Sequence, residues 1–330
     1  MLKTSILSFD EKFSIRVNSF LTAQGNHLFN EPAYFKLHSH SDKDCYAQLV
    51  RRNDDRVYAT IALHETVAGT YISPGRGTFG GLSLNGDLEF AAAGKFLQAV
   101  TDHLSQQGAQ KIHIRCAPAS HDGALFAITF NALMLQGFQP EEPEVNYDMQ
   151  INARAFIDRI NYGNVKRIRK AEREGFVCTR VDSSYLPAVH QLIANNRTRL
   201  GVLVSMSLEQ LRQMVGLFPE RLHMFAVYRD GSLKNMVAAA VCLALTPSVL
   251  YVLYWGDVEG MRGYSPIAML AATIYSFGAE RGFTLLDVGI ASLHGEPNHG
   301  LMNFKRNLGC TESLKLEMVW SNKSGNRKIS

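Results

Sequence analysis

Apolar positions recur at helical spacing over 88–107, with Phe90, Phe96, Leu97, Val100 and Leu104 on one side. Gly108 follows in the place a helix C-terminal glycine takes. A strand-length apolar run comes next at 111–116, then an apolar helix at 124–136 closed by Gly137, then a strand at 145–151. The order returns later in the chain: a helix over 267–281 closed by Gly282, a strand over 283–290, a helix over 299–307 ending at Gly309, and a strand over 313–320. Four elements in matching order, with the two glycine pairs at similar separations, predict an internal duplication.

Strands precede the long helix in each half. They are predicted at 56–64, 66–73 and 78–84 in the first half, and at 224–228, 237–245 and 249–255 in the second. Asp230-Gly231 is a hairpin turn signal. The run 236–255 is almost wholly apolar and long enough to raise a membrane span. Thr246-Pro247-Ser248 at its middle reads as a turn, so two buried strands are expected and no integral membrane segment. Between the halves, 154–174 reads as one basic helix carrying Arg159, Lys166, Arg167, Arg169, Lys170 and Arg173. A strand at 176–181 and helices at 186–199 and 208–217 follow it. The pattern predicts an α/β fold, a mixed sheet with helices packed on it, in two domains: 1–152, a basic helical connection at 153–175, and 176–330.

Composition changes this picture little. The 330 residues suit two domains, and 46% apolar residues suffice for two cores. A net charge of +4 does not call for nucleic acid, and no DNA partner is expected. The five cysteines are scattered without a CxxC pair, which argues against zinc and against a disulfide framework; no metal is expected. Reduced thiols and the charges at Lys3, Asp10, Glu11, Lys12 and Arg16, which break any signal-like apolar run, lead to a cytoplasmic expectation.

Several stretches resemble one superfamily. Phe29-Asn30-Glu31-Pro32-Ala33-Tyr34-Phe35-Lys36 is similar to the N-terminal segment of Fem-type (FemABX-like) peptidyltransferases, and 165–175 to the basic helix that enters their second domain. Tyr264-Ser265-Pro266 opening a long apolar helix, Leu286-Asp287-Val288-Gly289, and the Phe304-Lys305 helix ending at Gly309 also resemble that group and its BioF2-like acyltransferase relatives. The resemblance implies two tandem GNAT-like (acyl-CoA N-acyltransferase) domains. It implies transfer of an acyl or aminoacyl group from a phosphate-bearing donor to a small-molecule or peptide amine, with tRNA as a possible partner. The long helical arm that some Fem-type enzymes insert has no counterpart here, which weakens the expectation of a tRNA contact made through such an arm.

Such chemistry needs an anion site, an oxyanion partner and a base, with no tightly bound cofactor. Ser265 is expected to N-cap the helix that starts at Pro266, whose free N–H groups would receive phosphate beside Arg262, Gly263 and Tyr264. The resemblance makes this the donor site, yet the usual coenzyme A signature is reduced to Arg262-Gly263. That favours aminoacyl-tRNA or a carrier-bound acyl group over acyl-CoA. The bland alternative is an ordinary capped helix. Lys305 is expected, from the resemblance, to stabilise the charged intermediate; a surface lysine is the alternative. Asp257, Asp287 and Glu259 are candidate bases that would serve equally as turn or capping residues. Lys36, Lys166 and Arg169 would hold phosphates of acceptor or tRNA, or simply form solvated faces, and Tyr34 and Phe304 would wall a pocket or lie in the core. His294 and His299 read as loop residues. The competing functions are a coenzyme A-dependent GNAT N-acetyltransferase and a non-catalytic tandem domain that binds a nucleotide or tRNA.

Overall fold

The structure, a computed structural model, describes residues 2–23, 27–84 and 88–322, except for the side chain of Arg262. Contacts divide the chain into two units, Met1–Glu144 with Ser313–Ser330, and Val145–Glu312.

The first unit opens with β1 (Ser5–Ser8), β2 (Phe13–Val17), α1 (Pro32–His38), β3 (Cys45–Arg51), β4 (Val57–Val67) and β5 (Thr70–Ser73). Then come β6 (Ser83–Leu84), α2 (Phe90–Gln106), β7 (Lys111–Arg115), α3 (Gly123–Leu135) and the start of β8 (Gln139–Gln150). Strands β1 to β5 form an antiparallel meander, and β5 pairs with β7 in parallel, from Thr70 with Lys111 to Ser73 with Ile114. The turn between β4 and β5 falls at Gly69, whose φ of +76° suits glycine, and not at the expected 65–66 step. Of the strand expected at 78–84, only β6 forms. Phe96, Leu97, Val100 and Leu104 of α2 pack with Ile112 and Ile114 of β7 in one core. The Asp122 carboxylate caps α3 by accepting the N–H of Leu125 at 2.9 Å.

The second unit holds α4 (Tyr162–Arg173), β9 (Phe176–Val181), α5 (Leu186–Arg199), α6 (Leu208–Leu217), β10 (Leu222–Arg229), β11 (Met236–Ala244) and β12 (Val249–Asp257). It continues through α7 (Pro266–Glu280), β13 (Leu285–Ile290), the short β14 (Ser292–Leu293) and β15 (Glu296–Pro297), and α8 (His299–Asn307). Strands β9 to β12 are antiparallel, and β13 joins β12 in parallel. The apolar run that raised a membrane span is the β11–β12 hairpin. Helices α5 and α7 pack on both of its strands, which accounts for apolar residues at every position of β11. No described helix is long and apolar enough to cross a membrane.

Two expectations change. The basic helix covers only Tyr162–Arg173, because Asn161 caps it with Oδ1 accepting the N–H of Gly163, and a single 3-10 turn at Phe156–Asp158 precedes it. The final strand, β16 (Thr311–Ser321), had been expected in the second domain. From Ser313 onward it belongs to the first unit, where it pairs antiparallel with β7, and Leu316 and Met318 enter that unit's core. The contact units also put the basic helix inside the second unit and place the division at 144/145 and 312/313.

Candidate functional site

Among the described residues, the parallel pairing in the second unit is brief. Strands β12 and β13 match at Val249 with Leu285, Leu250 with Leu286 and Tyr251 with Asp287. Beyond Tyr251, β12 runs on to Asp257 while β13 stops pairing with it, so the two strands part. Main-chain groups at such a parting need other partners.

Lys305 supplies them on the β13 side. The residue is 2% exposed, and its ammonium donates to the carbonyl oxygens of Val288, Gly289 and Ile290 at 2.9, 2.8 and 2.8 Å. Three N–H donors meet three acceptors, leaving none for a reacting carbonyl in this arrangement. Burial pushes the ammonium down to about 8, against the opposing pull of Asp287. Asp287 is fully buried, and its Oδ1 accepts from Asn146 Nδ2 at 3.1 Å and from the Gly289 N–H at 2.7 Å. Lys305 and Asp287 therefore sit together, as the inside of one tight strand end. Phe304, beside Lys305, is half-buried and meets Trp255 edge-on at 6.4 Å.

The start of α7 differs from a standard cap. Ser265 adopts φ +49°, ψ +55°, makes no side-chain cap bond, and turns its hydroxyl to Asn164 Oδ1 at 3.2 Å. Pro266 takes the first helical position as expected. A non-glycine residue in this left-handed region costs on the order of 1 kcal/mol and marks a site worth attention. The same Asn164 oxygen accepts from Arg167 Nη1 at 3.2 Å, and the Asn164 amide donates to the Asn307 carbonyl at 3.1 Å. One buried asparagine thus ties together α4, the head of α7 and the tail of α8. Tyr264 completes the joint: its hydroxyl donates to Glu174 at 2.7 Å, its ring lies 4.8 Å from that of Phe176, and the Lys170 ammonium sits 4.7 Å above it. Gly263 is exposed, and a Cβ there would meet nothing within 4 Å. The Arg262 side chain lies outside the described residues. Lys166 and Arg169 are exposed on α4, with the Lys166 ammonium 4.5 Å over the Tyr162 ring, and both line a shallow surface with Lys170, Glu172 and Arg173. Tyr264 and Ser265 of the predicted donor site thus meet Lys170 and Asn164 of the basic helix, while Lys166 and Arg169 lie on that helix's outer surface.

Asp257 ends β12 at a different place. Its Oδ1 accepts from Asn196 Nδ2 at 3.0 Å and Arg199 Nη2 at 3.3 Å, and its carbonyl accepts from Asn196 at 2.8 Å. Gly256 makes this approach of α5 possible, since a Cβ there would stand 2.9 Å from the Asn196 Cβ. Asp257 and Glu259 line an open concavity of about 540 Å³ with Gln191, Asn195, Arg199 and Lys234. In the first unit, Lys36 is exposed with its ammonium 4.1 Å over the Phe20 ring. Tyr34 is buried between the rings of Phe29 and His38, at 5.0 and 4.6 Å, in keeping with a core role. Asn164, Asn196 and Arg199 were missed by the sequence reading. Asn164 carried one signal, a small amide at the apolar spacing of Val165 and Ile168 within a cationic helix.

No family model matches the sequence, and a comparison with curated proteins finds no match. Among solved structures, the chain is similar to FemX at 14% identity, over 92% of this chain and 94% of that one, with a TM-score of 0.68. The chain has a tandem GNAT-type fold. L-PGS from Bacillus licheniformis shares the fold at 12% identity (91% and 89% covered, TM-score 0.60). So does a tandem GNAT protein from the clavulanic acid biosynthesis pathway, at 10% identity (90% of each chain, TM-score 0.50). Within this tandem GNAT fold, the elements described above are the parting strands β12 and β13 and the helix α7 that connects them.

Proposed function

We propose that the protein transfers an acyl or aminoacyl group from a phosphate-bearing donor to an amine. The observation that carries the reading is the joint at Asn164, which holds the head of α7 against Arg167 and Lys170 of α4. A helix N-terminus offers amide donors and partial positive charge, and the adjoining cations deepen the attraction for a phosphate group. The parting strands leave the edge of β12 beyond Tyr251 available to an extended donor arm. The 540 Å³ concavity, with Asp257 and Glu259 on its wall, suits a cationic amine that loses a proton before attack. The neutral nitrogen then attacks the donor carbonyl, the carbon–nitrogen bond forms, and the bond to the donor's leaving group breaks. In this scheme Lys305 acts as a positioning residue that shapes the end of β13, in place of the direct oxyanion contact expected from the sequence.

The similarity to FemX and L-PGS supports the reading at the level of fold. Donor class is decided by experiment. Ligands that bind the folded protein raise its melting temperature, so acyl-CoAs and aminoacyl-tRNAs are compared in one thermal-shift panel, followed by product analysis by mass spectrometry. An aminoacylated amine product is expected, and Lys170→Gln should remove most of the donor-induced shift while lowering the apo melting temperature by no more than a few degrees. No shift with either donor class, and no product, would refute the reading.

A further inference from the structure

A second cluster of chemistry-bearing side chains lies in the first unit, with no part in the transfer scheme. On β7, Lys111, His113 and Arg115 alternate with buried Ile112 and Ile114, so all three point away from the core. His113 Nδ1 meets Glu317 Oε1 of β16 at 2.7 Å. Glu141, at the head of β8, brings a carboxylate oxygen into the same place, and the three ligand atoms lie within 4.8 Å of one another. The side chains are part-exposed, 16% for His113 and 28% for Glu317, so an ion can enter from solvent.

Pairwise ion pairs account for each carboxylate singly, Glu141 with Lys111 and Glu317 with His113 and Arg115, but not for the convergence of both on one imidazole. That convergence presents three ligand atoms of metal-binding type to one point open to solvent. The neighbouring cations approach from the side: Arg115 Nε donates to Glu317 Oε2 at 3.3 Å, and the Lys111 ammonium is 3.8 Å from Glu141 Oε2. Glu317 is therefore held through one oxygen while its other faces the imidazole, the kind of outer support that orients metal-ligating carboxylates. One imidazole nitrogen and two carboxylate oxygens suit a borderline divalent ion such as Zn²⁺ and do not suit Mg²⁺, which prefers oxygen and water.

We infer that His113, Glu141 and Glu317 form a divalent transition-metal site that clamps three strands of the first unit. Binding displaces the proton between His113 Nδ1 and Glu317 Oε1, which passes to the imidazole Nε2 or to solvent, and water completes the coordination. Zinc was discounted from the sequence because the five scattered cysteines form no CxxC pair. Ligands at positions 113, 141 and 317 are joined only by strand pairing, so no local motif announces them.

The test is isothermal titration of the full chain, stripped with chelator, against Zn²⁺ and Mg²⁺, with thermal unfolding in parallel. Saturable binding of one Zn²⁺ with a raised melting temperature is expected, and Mg²⁺ should bind at least tenfold more weakly. His113→Ala and Glu141→Gln should each weaken Zn²⁺ binding tenfold or more. Glu141 is exposed, so its variant keeps the test open if His113→Ala fails to fold. No saturable Zn²⁺ binding by wild type, or unchanged affinity in the variants, would overturn the inference. The outcome is independent of whether the protein transfers acyl groups.

Discussion

Removing the Lys305 ammonium leaves the carbonyls of Val288, Gly289 and Ile290 without their donor in a buried place. An unsatisfied buried polar group costs about 1–3 kcal/mol. Lys305→Met is therefore expected to lower unfolding stability by roughly 3 kcal/mol, measured by urea denaturation; a loss of turnover with stability unchanged would restore the oxyanion role. Two histidines set a second expectation. Burial pushes His38 and His223 down to about 4, helped by Arg76 beside the first and Arg180 beside the second. In the unfolded chain they take up protons near 6.5. Between those values the unfolded state binds more protons, so acid favours it: stability from these groups is present above pH 6.5 and lost as pH falls towards 4. The urea midpoint should drop between pH 7 and 4.5, and His223→Phe, beside Phe277, should flatten that drop. Lys305 was legible as a special residue through its resemblance to a motif. Its partners, fifteen to seventeen positions earlier, were not, because main-chain carbonyls carry no mark in a sequence.

At the scale of elements, periodicity located α2, α3, α7 and α8 to within one or two residues, because each sends apolar side chains into or against a core. The β11–β12 hairpin was equally plain from Thr246-Pro247-Ser248. What failed were places where side-chain geometry overrides pattern: the left-handed Ser265, which looked like a cap, and Asn161, which starts α4 eight residues later than charge and apolar spacing suggest. The seat of α5 on β12 depends on a missing methyl group. Gly256→Ala would press a Cβ into Asn196 and displace its bonds to Asp257. Overpacking of this kind costs typically 1–3 kcal/mol, and thermal unfolding of the variant should show a fall of several degrees.

Over the whole molecule, charge is unevenly shared. Residues 145–312 carry 18 Lys and Arg against 14 Asp and Glu, while the remaining residues carry 16 of each, so the excess of +4 belongs to the second unit. Neutralising Lys166, Arg169 and Arg173 on α4 should leave folding intact. It should reduce the slope of log affinity for a polyphosphate donor against log salt by roughly two to three, on the order of one per lost phosphate contact. Filter binding across a salt series measures this. The duplication was legible as a repeated order of elements. The owner of the final strand was not, since helix–glycine–strand phrasing says which strand follows a helix and nothing about which sheet accepts it.

That ownership affects biosynthesis. Ribosomes deliver residues 1–144 well before 313–321, so β7 waits, its edge bare, while all of the second unit is being made. Nascent domains generally fold as they emerge, and unpaired edges invite misassembly in the interval. The later-made half should thus mature first, and chains stalled at Glu312 should yield a protease-resistant core from 145–312 and a labile, chaperone-dependent remainder.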